Sequence, residues 1–290
     1  MRGGIGNQLF IYAAGIFHEQ LTKSKVKFDY SSFHTGISKH GNSDLRELIS
    51  RDEWRINRIM FTLHRFIRRI PNTINRFYPG RFFSNLYESE IVGFDENLRV
   101  NLSVKYIFGY FQSHVYLQNI EIRNRIDDLF SAVEISAKNK SYLHFIKRNR
   151  TLAFHLRRGD YLNLSKTFGV LSDEYYLFGI NELIKSKNFD AIMIFSDDLD
   201  AGAKLLEKVN QLKLPIKTLI CNATNPIESM KLFSLCDGAV IANSTFSWWG
   251  AILGNSSKFV IAPDKWFYQM EDPGDLIPPH WERREAIWRN

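Results

Sequence analysis

Thr151-Leu-Ala-Phe-His155-Leu-Arg157-Arg158-Gly-Asp160-Tyr161 joins an apolar run to a charged turn. Its first six residues read as a buried strand, which releases two arginines at its carboxyl end. In open α/β sheets that is the end where ligands bind. Two guanidiniums beside an imidazole and a carboxylate suit a diphosphate. Arginine's planar fork meets phosphate oxygens two at a time and keeps its charge at any relevant pH. The competing reading is a loop of surface arginines with Asp160 paired to one of them, and the neighbouring sequence decides between the two.

Downstream, apolar runs alternate with helical ones. Residues 173–186 read as a helix capped by Ser172, with acidic residues in its first turn. A strand over 191–195 ends at Ser196-Asp197-Asp198, a helix runs to about Gln211, and 217–220 is another strand. Pro226 opens a helix at its first turn, where the missing N–H costs nothing. A strand over 238–242, a turn at Asn243-Ser-Thr245, a helix over 247–253 and a strand over 258–262 complete the series. Strand and helix in alternation predict a parallel, doubly wound sheet.

The charge is uneven. The whole chain carries +7, of which residues 1–150 hold 23 Lys and Arg against 14 Asp and Glu, leaving −2 for the rest. Two lobes with different partners follow: a basic lobe over 1–150, expected on the acceptor side, and a nearly neutral one over 151–290, expected to bind the donor, with the last ~25 residues free to return to the first. Two cysteines, Cys221 and Cys236, make no disulfide framework. No stretch reaches the roughly 18–20 apolar residues of a membrane span, and the start lacks a signal-peptide pattern. A cytoplasmic protein is expected.

In the first half, Gly3-Gly4-Ile5-Gly6-Asn7-Gln8 is a glycine-rich loop followed by an apolar helical run through Phe17. It is not a dinucleotide fingerprint, since Leu9 occupies the third glycine position, nor a P-loop, which ends in Gly-Lys-Ser/Thr. A loop of this kind normally follows a strand, yet only Met1 and Arg2 precede it. From Arg51 to Ile70 an apolar stripe (Ile56, Ile59, Met60, Leu63, Ile67, Ile70) opposes Arg51, Arg55, Arg58, Arg65 and Arg69 at helical spacing. Such a helix packs on its own lobe or touches an anionic membrane surface. Nucleic acid fits less well, as no binding motif accompanies the charge.

Three segments, the Gly-Gly-Ile-Gly-Asn-Gln loop, the His-Leu-Arg-Arg-Gly-Asp-Tyr turn and Asn243-Ser-Thr-Phe-Ser-Trp-Trp-Gly250, occur together in this order. With Leu171-Ser-Asp-Glu-Tyr-Tyr176 and Ile261-Ala-Pro-Asp-Lys-Trp266, they resemble the bacterial α-1,2-fucosyltransferases of glycosyltransferase family 11. The resemblance runs from residue 3 to about 267, and residues 31–105 carry no family motif. It implies an α/β fold of GT-B type, two Rossmann-like lobes facing across a cleft. It also implies inverting transfer of L-fucose from GDP-fucose to the 2-hydroxyl of a glycan, with a terminal β-galactoside the usual acceptor, and no metal or other cofactor.

On that resemblance Arg157 and Arg158 hold the diphosphate, His155 lies near the guanine or ribose, and Asp197 or Asp198 accepts from the nucleoside. Ser244, Thr245, Phe246 and Ser247 supply hydroxyls and a helix N-terminus. Gly6, Asn7 and Gln8 contribute from the first lobe. Arg157 faces the charge growing on departing GDP, commonly the largest catalytic term. Asp160 is the candidate base, with Asp173 and Glu174 as alternatives; Asp160 holding an arginine in place is an equal reading, as is a reaction with no strong base. Trp248 and Trp249, being adjacent on a helix, point about 100° apart and cannot form one stacking platform.

Other readings remain open. Asp198-Leu199-Asp200 is a D-x-D after a strand, as in metal-dependent GT-A enzymes. A non-catalytic glycan-binding protein and a fucosyltransferase of another linkage are the further alternatives. The expected acceptor is an oligosaccharide or lipid-linked O-antigen or capsule repeat at the inner leaflet, with 51–70 as the peripheral membrane contact.

Overall fold

The computed structural model describes residues 1–34, 44–57, 59, 86–100, 102–159, 161–162, 165–254 and 258–289. The chain forms two units, Met1–Leu129 with Pro273–Leu276, and Phe130–Asp272 with Ile277–Asn290. The division falls ahead of residue 150 because the segment before the first long strand is tied into the second unit. There the Glu228 carboxylate accepts from the Ser136 N–H at 3.0 Å, the Ser136 hydroxyl at 2.8 Å and the Asn139 amide at 2.8 Å. Of the C-terminal tail only Pro273–Leu276 joins the first unit.

The first unit is built around helix α1, Ile5–Thr22, buried along most of its length through Leu9, Phe10, Tyr12, Ala13 and Ile16. Strand β1 (Phe28–Asp29) pairs in parallel with β2 (Trp54–Arg55), and β3 (Leu86–Glu88) with β4 (Tyr106–Phe108). Helix α2, Ile120–Ser131, buries Ile122 and Ile126 one turn apart. Its Arg125 donates to the Tyr12 hydroxyl at 3.0 Å and pairs with Glu19 and Glu53, fastening α2 to α1. Arg51–Glu53 is a single 3-10 turn running straight into β2, so the amphipathic helix expected over 51–70 does not begin at Arg51. Trp54 and Arg55 are instead drawn into pairing with β1. Beyond Asn57, only Ile59 of that stretch is within the described residues, and it is exposed.

The second unit carries six parallel strands: β5 (Thr151–Leu156), β6 (Ala191–Ser196), β7 (Lys217–Cys221), β8 (Gly238–Val240), β9 (Phe259–Pro263) and β10 (Glu282–Arg284). They lie in the order β10-β9-β8-β5-β6-β7. All six β5 residues are buried, as a strand covered on both faces requires; Phe154 stands opposite Ile194 on one side and Val240 on the other. The helices of five residues or more are α3 (Lys140–Arg148), α4 (Asp173–Leu177), α5 (Ile180–Lys187), α6 (Leu199–Gln211), α7 (Pro226–Ser234) and α8 (Thr245–Ile252). Leu205 and Val209 of α6 and Tyr176, Ile180 and Ile184 of the preceding helices pack on Phe154, Ile192 and Ile194.

The fold is therefore α/β with parallel sheets, as expected, with the predicted strands at or within two residues of their places. Two features differ. The helix expected over 173–186 is two helices, broken where Gly179 takes a φ of +62°, a conformation glycine enters at no steric cost. Strand β10 is an addition: a charged Glu-Arg-Arg run gives no apolar pattern, and it pairs as the outer strand beside β9.

Candidate active site

Strand β5 sits inside the sheet with β6 on one side and β8 on the other. The chain leaves β5 for β6 and β7, then returns to β8 on the opposite side and continues outward through β9 to β10. The loops after β5 and β8 therefore part in opposite directions, which makes the strands' carboxyl ends here a topological switch point, the place where open α/β sheets bind ligands. These loops are the Arg157-Arg158 turn and the Asn243-Ser-Thr turn. The Tyr161 hydroxyl donates to the Asn243 carbonyl at 3.0 Å and ties one to the other.

The two arginines have different environments. Arg157 keeps a fifth of its side chain exposed, ion-paired to Asp197 at 3.0 Å and lying over the Tyr161 ring at 5.3 Å. Arg158 is buried to 2%; its guanidinium donates to Asp173 at 3.1 Å and to the Arg157 carbonyl at 3.2 Å. Lys208 meets the other Asp173 oxygen at 2.7 Å. Arg158 thus has a strut's setting, and Arg157 is the cation of the pair with a side chain that reaches water.

Asp197 organises the turn. One carboxylate oxygen accepts the Arg158 backbone N–H at 2.8 Å while the other pairs with Arg157. A Cβ on Gly159 would lie 2.5 Å from that second oxygen, so glycine is what lets the carboxylate approach. Asp198 caps α6, accepting from the Ala201 N–H at 3.0 Å. Sequence reading gave one or other of these aspartates to the nucleoside; in the structure each carboxylate also meets groups of the protein itself. The same cap explains the D-x-D as a helix start.

His155 is the penultimate residue of β5, buried to 4%, stacked on Phe246 with ring centres 5.1 Å apart. Burial, then the flanking Arg157 and Arg158 guanidiniums, push its pKa down to about 3, so the imidazole is neutral. Its Nδ1 has no hydrogen-bond partner among the described residues. Ser244 caps α8 by position. The Ser247 hydroxyl is turned inward, 3.2 Å from the Ala242 carbonyl and 3.1 Å from that of Ser244, leaving Thr245 and Phe246 as the partly exposed side chains of the first turn. Trp248 and Trp249 are both fully buried, edge to face at 5.1 Å, and belong to the core.

The structure thus brings His155, Arg157, Arg158, Asp197 and Phe246 together. Gly6, Asn7 and Gln8 lie in the first unit, within the opening turn of α1, which begins at Ile5 where a loop was expected. Gln8 is fully buried, donating to the Gly3 carbonyl at 3.0 Å and accepting from the Leu45 N–H at 3.1 Å, so it holds the backbone. Asn7 is partly exposed and accepts from Gln112 at 2.9 Å. Asp160 lies outside the described residues. Glu174 is exposed at the start of α4, with its carboxyl held below the usual range chiefly by Ser172.

Two residues escaped the sequence reading of the site. Asn243 is buried, and its amide donates to the carbonyls of Phe168 at 2.7 Å and Trp266 at 3.1 Å, gathering three loops. Lys258 is buried beneath α8, with its ammonium 2.7 Å from the Ser234 carbonyl, 3.4 Å from Gly250 and 3.5 Å from Phe233. It closes the carboxyl ends of α7 and α8, where a cation also complements the helix dipoles; burial pushes its pKa down to about 8. A lone lysine opening an apolar strand was the available signal.

The sequence model described as glycosyl transferase family 11 matches residues 82–281. The chain belongs to glycosyltransferase family 11. This family-11 chain is 29% identical over 290 residues to an alpha-1,2-colitosyltransferase of Escherichia coli, covering 98% of the chain and 97% of that protein. It is also 29% identical to the Escherichia coli O-antigen biosynthesis glycosyltransferase WbnK, over 92% of the chain and 93% of that protein. Among solved structures, POFUT1 in complex with GDP-fucose aligns with a TM-score of 0.42 at 11% identity, over 90% of this chain and 95% of that one. Escherichia coli heptosyltransferase WaaC with ADP-2-deoxy-2-fluoro heptose aligns with a TM-score of 0.46 at 10% identity, over 98% and 90%. The family-11 enzyme is a glycosyltransferase.

Proposed function

We propose that this glycosyltransferase transfers L-fucose from GDP-fucose, with inversion, to the 2-hydroxyl of a terminal β-galactoside on an O-antigen or capsule glycan. The observation that carries the reading is Arg157, a partly exposed guanidinium at the switch point of a parallel sheet in a family-11 chain. Both E. coli relatives bear on it, one by its α-1,2 linkage and the other by its O-antigen role. Arg157 meets the diphosphate and stabilises the charge that grows on it as the sugar acquires oxocarbenium character. The N–H groups opening α8 add to that field. Asp197 and, through Asp173, Arg158 hold the turn at fixed geometry, so little reorganisation is needed when the donor arrives. No metal takes part. The acceptor hydroxyl attacks from the face opposite GDP, with Asp160 as the base that removes its proton.

The reaction takes place in the cytoplasm at the inner leaflet, on a lipid-linked acceptor, with 51–70 as the peripheral contact. Among the described residues no helix is long and apolar enough to cross a membrane. The colitosyltransferase relative favours a second reading, in which the donor carries colitose in place of fucose.

GDP release is measured with GDP-fucose and lacto-N-biose or lactose, in EDTA, for wild type and Arg157→Ala. Acceptor-dependent turnover that survives chelation and collapses in the variant is the expected result. GDP binding without turnover on either acceptor refutes the acceptor assignment. No turnover with GDP-fucose beside turnover with a colitosyl donor refutes the donor assignment, and turnover lost to EDTA refutes metal independence.

A further inference from the structure

The loop after β9 runs along the same carboxyl edge of the sheet as the arginine turn and is fixed at both ends. The Asp272 carboxylate takes the Trp266 N–H at 2.6 Å and the Phe267 N–H at 2.8 Å. Asn243 holds the Trp266 carbonyl, and the Tyr268 N–H donates to the Thr167 carbonyl at 3.2 Å. Trp266 and Phe267 are buried, and between these anchors Tyr268 stands 53% exposed. Trp288 meets it edge to face at 5.7 Å. Gly169, at a φ of +73°, lets Trp288 sit there, since a Cβ would lie 2.4 Å from the indole.

A mobile loop tip gains little by carrying an exposed tyrosine, but here the ring is held before any ligand arrives, so its ordering cost is already met. The ring is also connected to the site. Arg157 lies over Tyr161 at 5.3 Å, Tyr161 stacks on Phe168 at 5.2 Å, and Phe168 packs on Phe267 at 5.9 Å, next in sequence to Tyr268. Gln269 and Glu271, both exposed, supply donors and acceptors beside it. A fixed aromatic surface rimmed by an amide and a carboxylate suits a pyranose, whose C–H face is apolar and whose edge is hydroxylated.

We propose that Tyr268, backed by Trp288, forms a subsite for the acceptor's penultimate sugar. The transferred sugar and the acceptor's terminal sugar occupy the span between Arg157 and this ledge. The inference rests on the glycosyl-transfer reading of the Arg157 site and adds which part of the acceptor the second unit reads. It makes the enzyme selective for a galactoside carried on a further sugar over the same galactoside alone.

The test compares kcat/KM for methyl β-galactoside and for lacto-N-biose in wild type, Tyr268→Ala and Tyr268→Phe, with GDP affinity by calorimetry and mass by light scattering. Wild type should prefer the disaccharide. Tyr268→Ala should lose about five- to tenfold of that preference, a stacking contribution, in the disaccharide's KM; Tyr268→Phe should keep most of it, and both should bind GDP. Preference unchanged in Tyr268→Ala, or absent from wild type while both sugars turn over, overturns the subsite and leaves the transfer reading standing. Unchanged preference with an altered mass makes the ledge a self-association surface and also overturns it. GDP binding with neither sugar turned over overturns the acceptor assignment, and the subsite with it.

Discussion

Arg157 and Arg158 are neighbours in sequence with opposite assignments, and alanine at each should separate the two roles. Arg158 is 2% exposed and ion-paired to Asp173. Breaking a buried pair costs about 3–5 kcal/mol. Asp173 keeps Lys208 and has 23% of its side chain exposed, so its orphaned charge is partly relieved; about 2–3 kcal/mol is the expected loss for Arg158→Ala. In a unit of this size that lowers the melting temperature by about 5–10 °C. Arg157 and its partner Asp197 have 20% and 25% of their side chains exposed, so Arg157→Ala should cost stability only about 0–1 kcal/mol. It removes a charge-assisted contact to phosphate worth about 1.5–3 kcal/mol, roughly ten- to hundredfold in GDP affinity. Thermal melts read the first effect and GDP calorimetry below the melting range reads the second. An Arg158→Ala protein that melts like wild type yet loses GDP would refute the strut assignment; an Arg157→Ala protein that binds GDP normally would refute the other.

Three further outcomes are expected. His155 has a folded pKa of about 3 against an ordinary 6.5, so below pH 6.5 the unfolded chain takes a proton that the folded chain refuses. Stability should fall as pH drops from 6.5 toward 3, by up to about 4 kcal/mol; urea titrations across that range should show a shallower slope for His155→Phe. Gly159→Ala drives a Cβ against the Asp197 oxygen that pairs with Arg157, and GDP affinity should drop about tenfold while Gly274→Ala, where the space is open, binds as wild type. Lys258→Met leaves three buried carbonyls without their ammonium and should lower unfolding free energy by about 2 kcal/mol in chemical denaturation; a stability equal to wild type would contradict its role.

The sheet of the second unit was legible because its signal is local: a strand buried on both faces is a continuous apolar run, and Thr151–Leu156 and Ala191–Ser196 are such runs. The switch point was legible for the same reason, since motif-bearing turns followed those strands. Burial of individual polar side chains was not. Arg158 and Arg157 differ by which way each leaves the strand and by an aspartate fifteen residues on, and adjacency in sequence carries neither. The backbone N–H contacts of Asp197 and Asp198 were not legible, because a carboxylate after a strand looks the same whether or not it also holds the protein's own backbone. The break at Gly179 is one residue's φ. The opening of the amphipathic stretch at Arg51–Glu53 shows periodicity yielding to tertiary pairing, as Trp54 and Arg55 join β1.

Pro273–Leu276, the late return of the chain to the first unit, bears on the order in which the protein assembles during synthesis. Asp275 accepts the Phe94 N–H at 2.7 Å and the Ser113 hydroxyl at 2.5 Å, while its carbonyl accepts the His114 N–H at 3.0 Å. Those three donors leave the ribosome more than 150 residues before their acceptor does. The unit made first is therefore finished last: it must wait, with the backbone around Phe94 and Ser113 still answered by water, until almost the whole second unit has been translated. A polypeptide ending at Leu129 would carry the same vacancy permanently. Cutting the gene at the apparent boundary would yield one fragment short of an internal strap, and supplying residues 273–276 in trans would be the way to restore it.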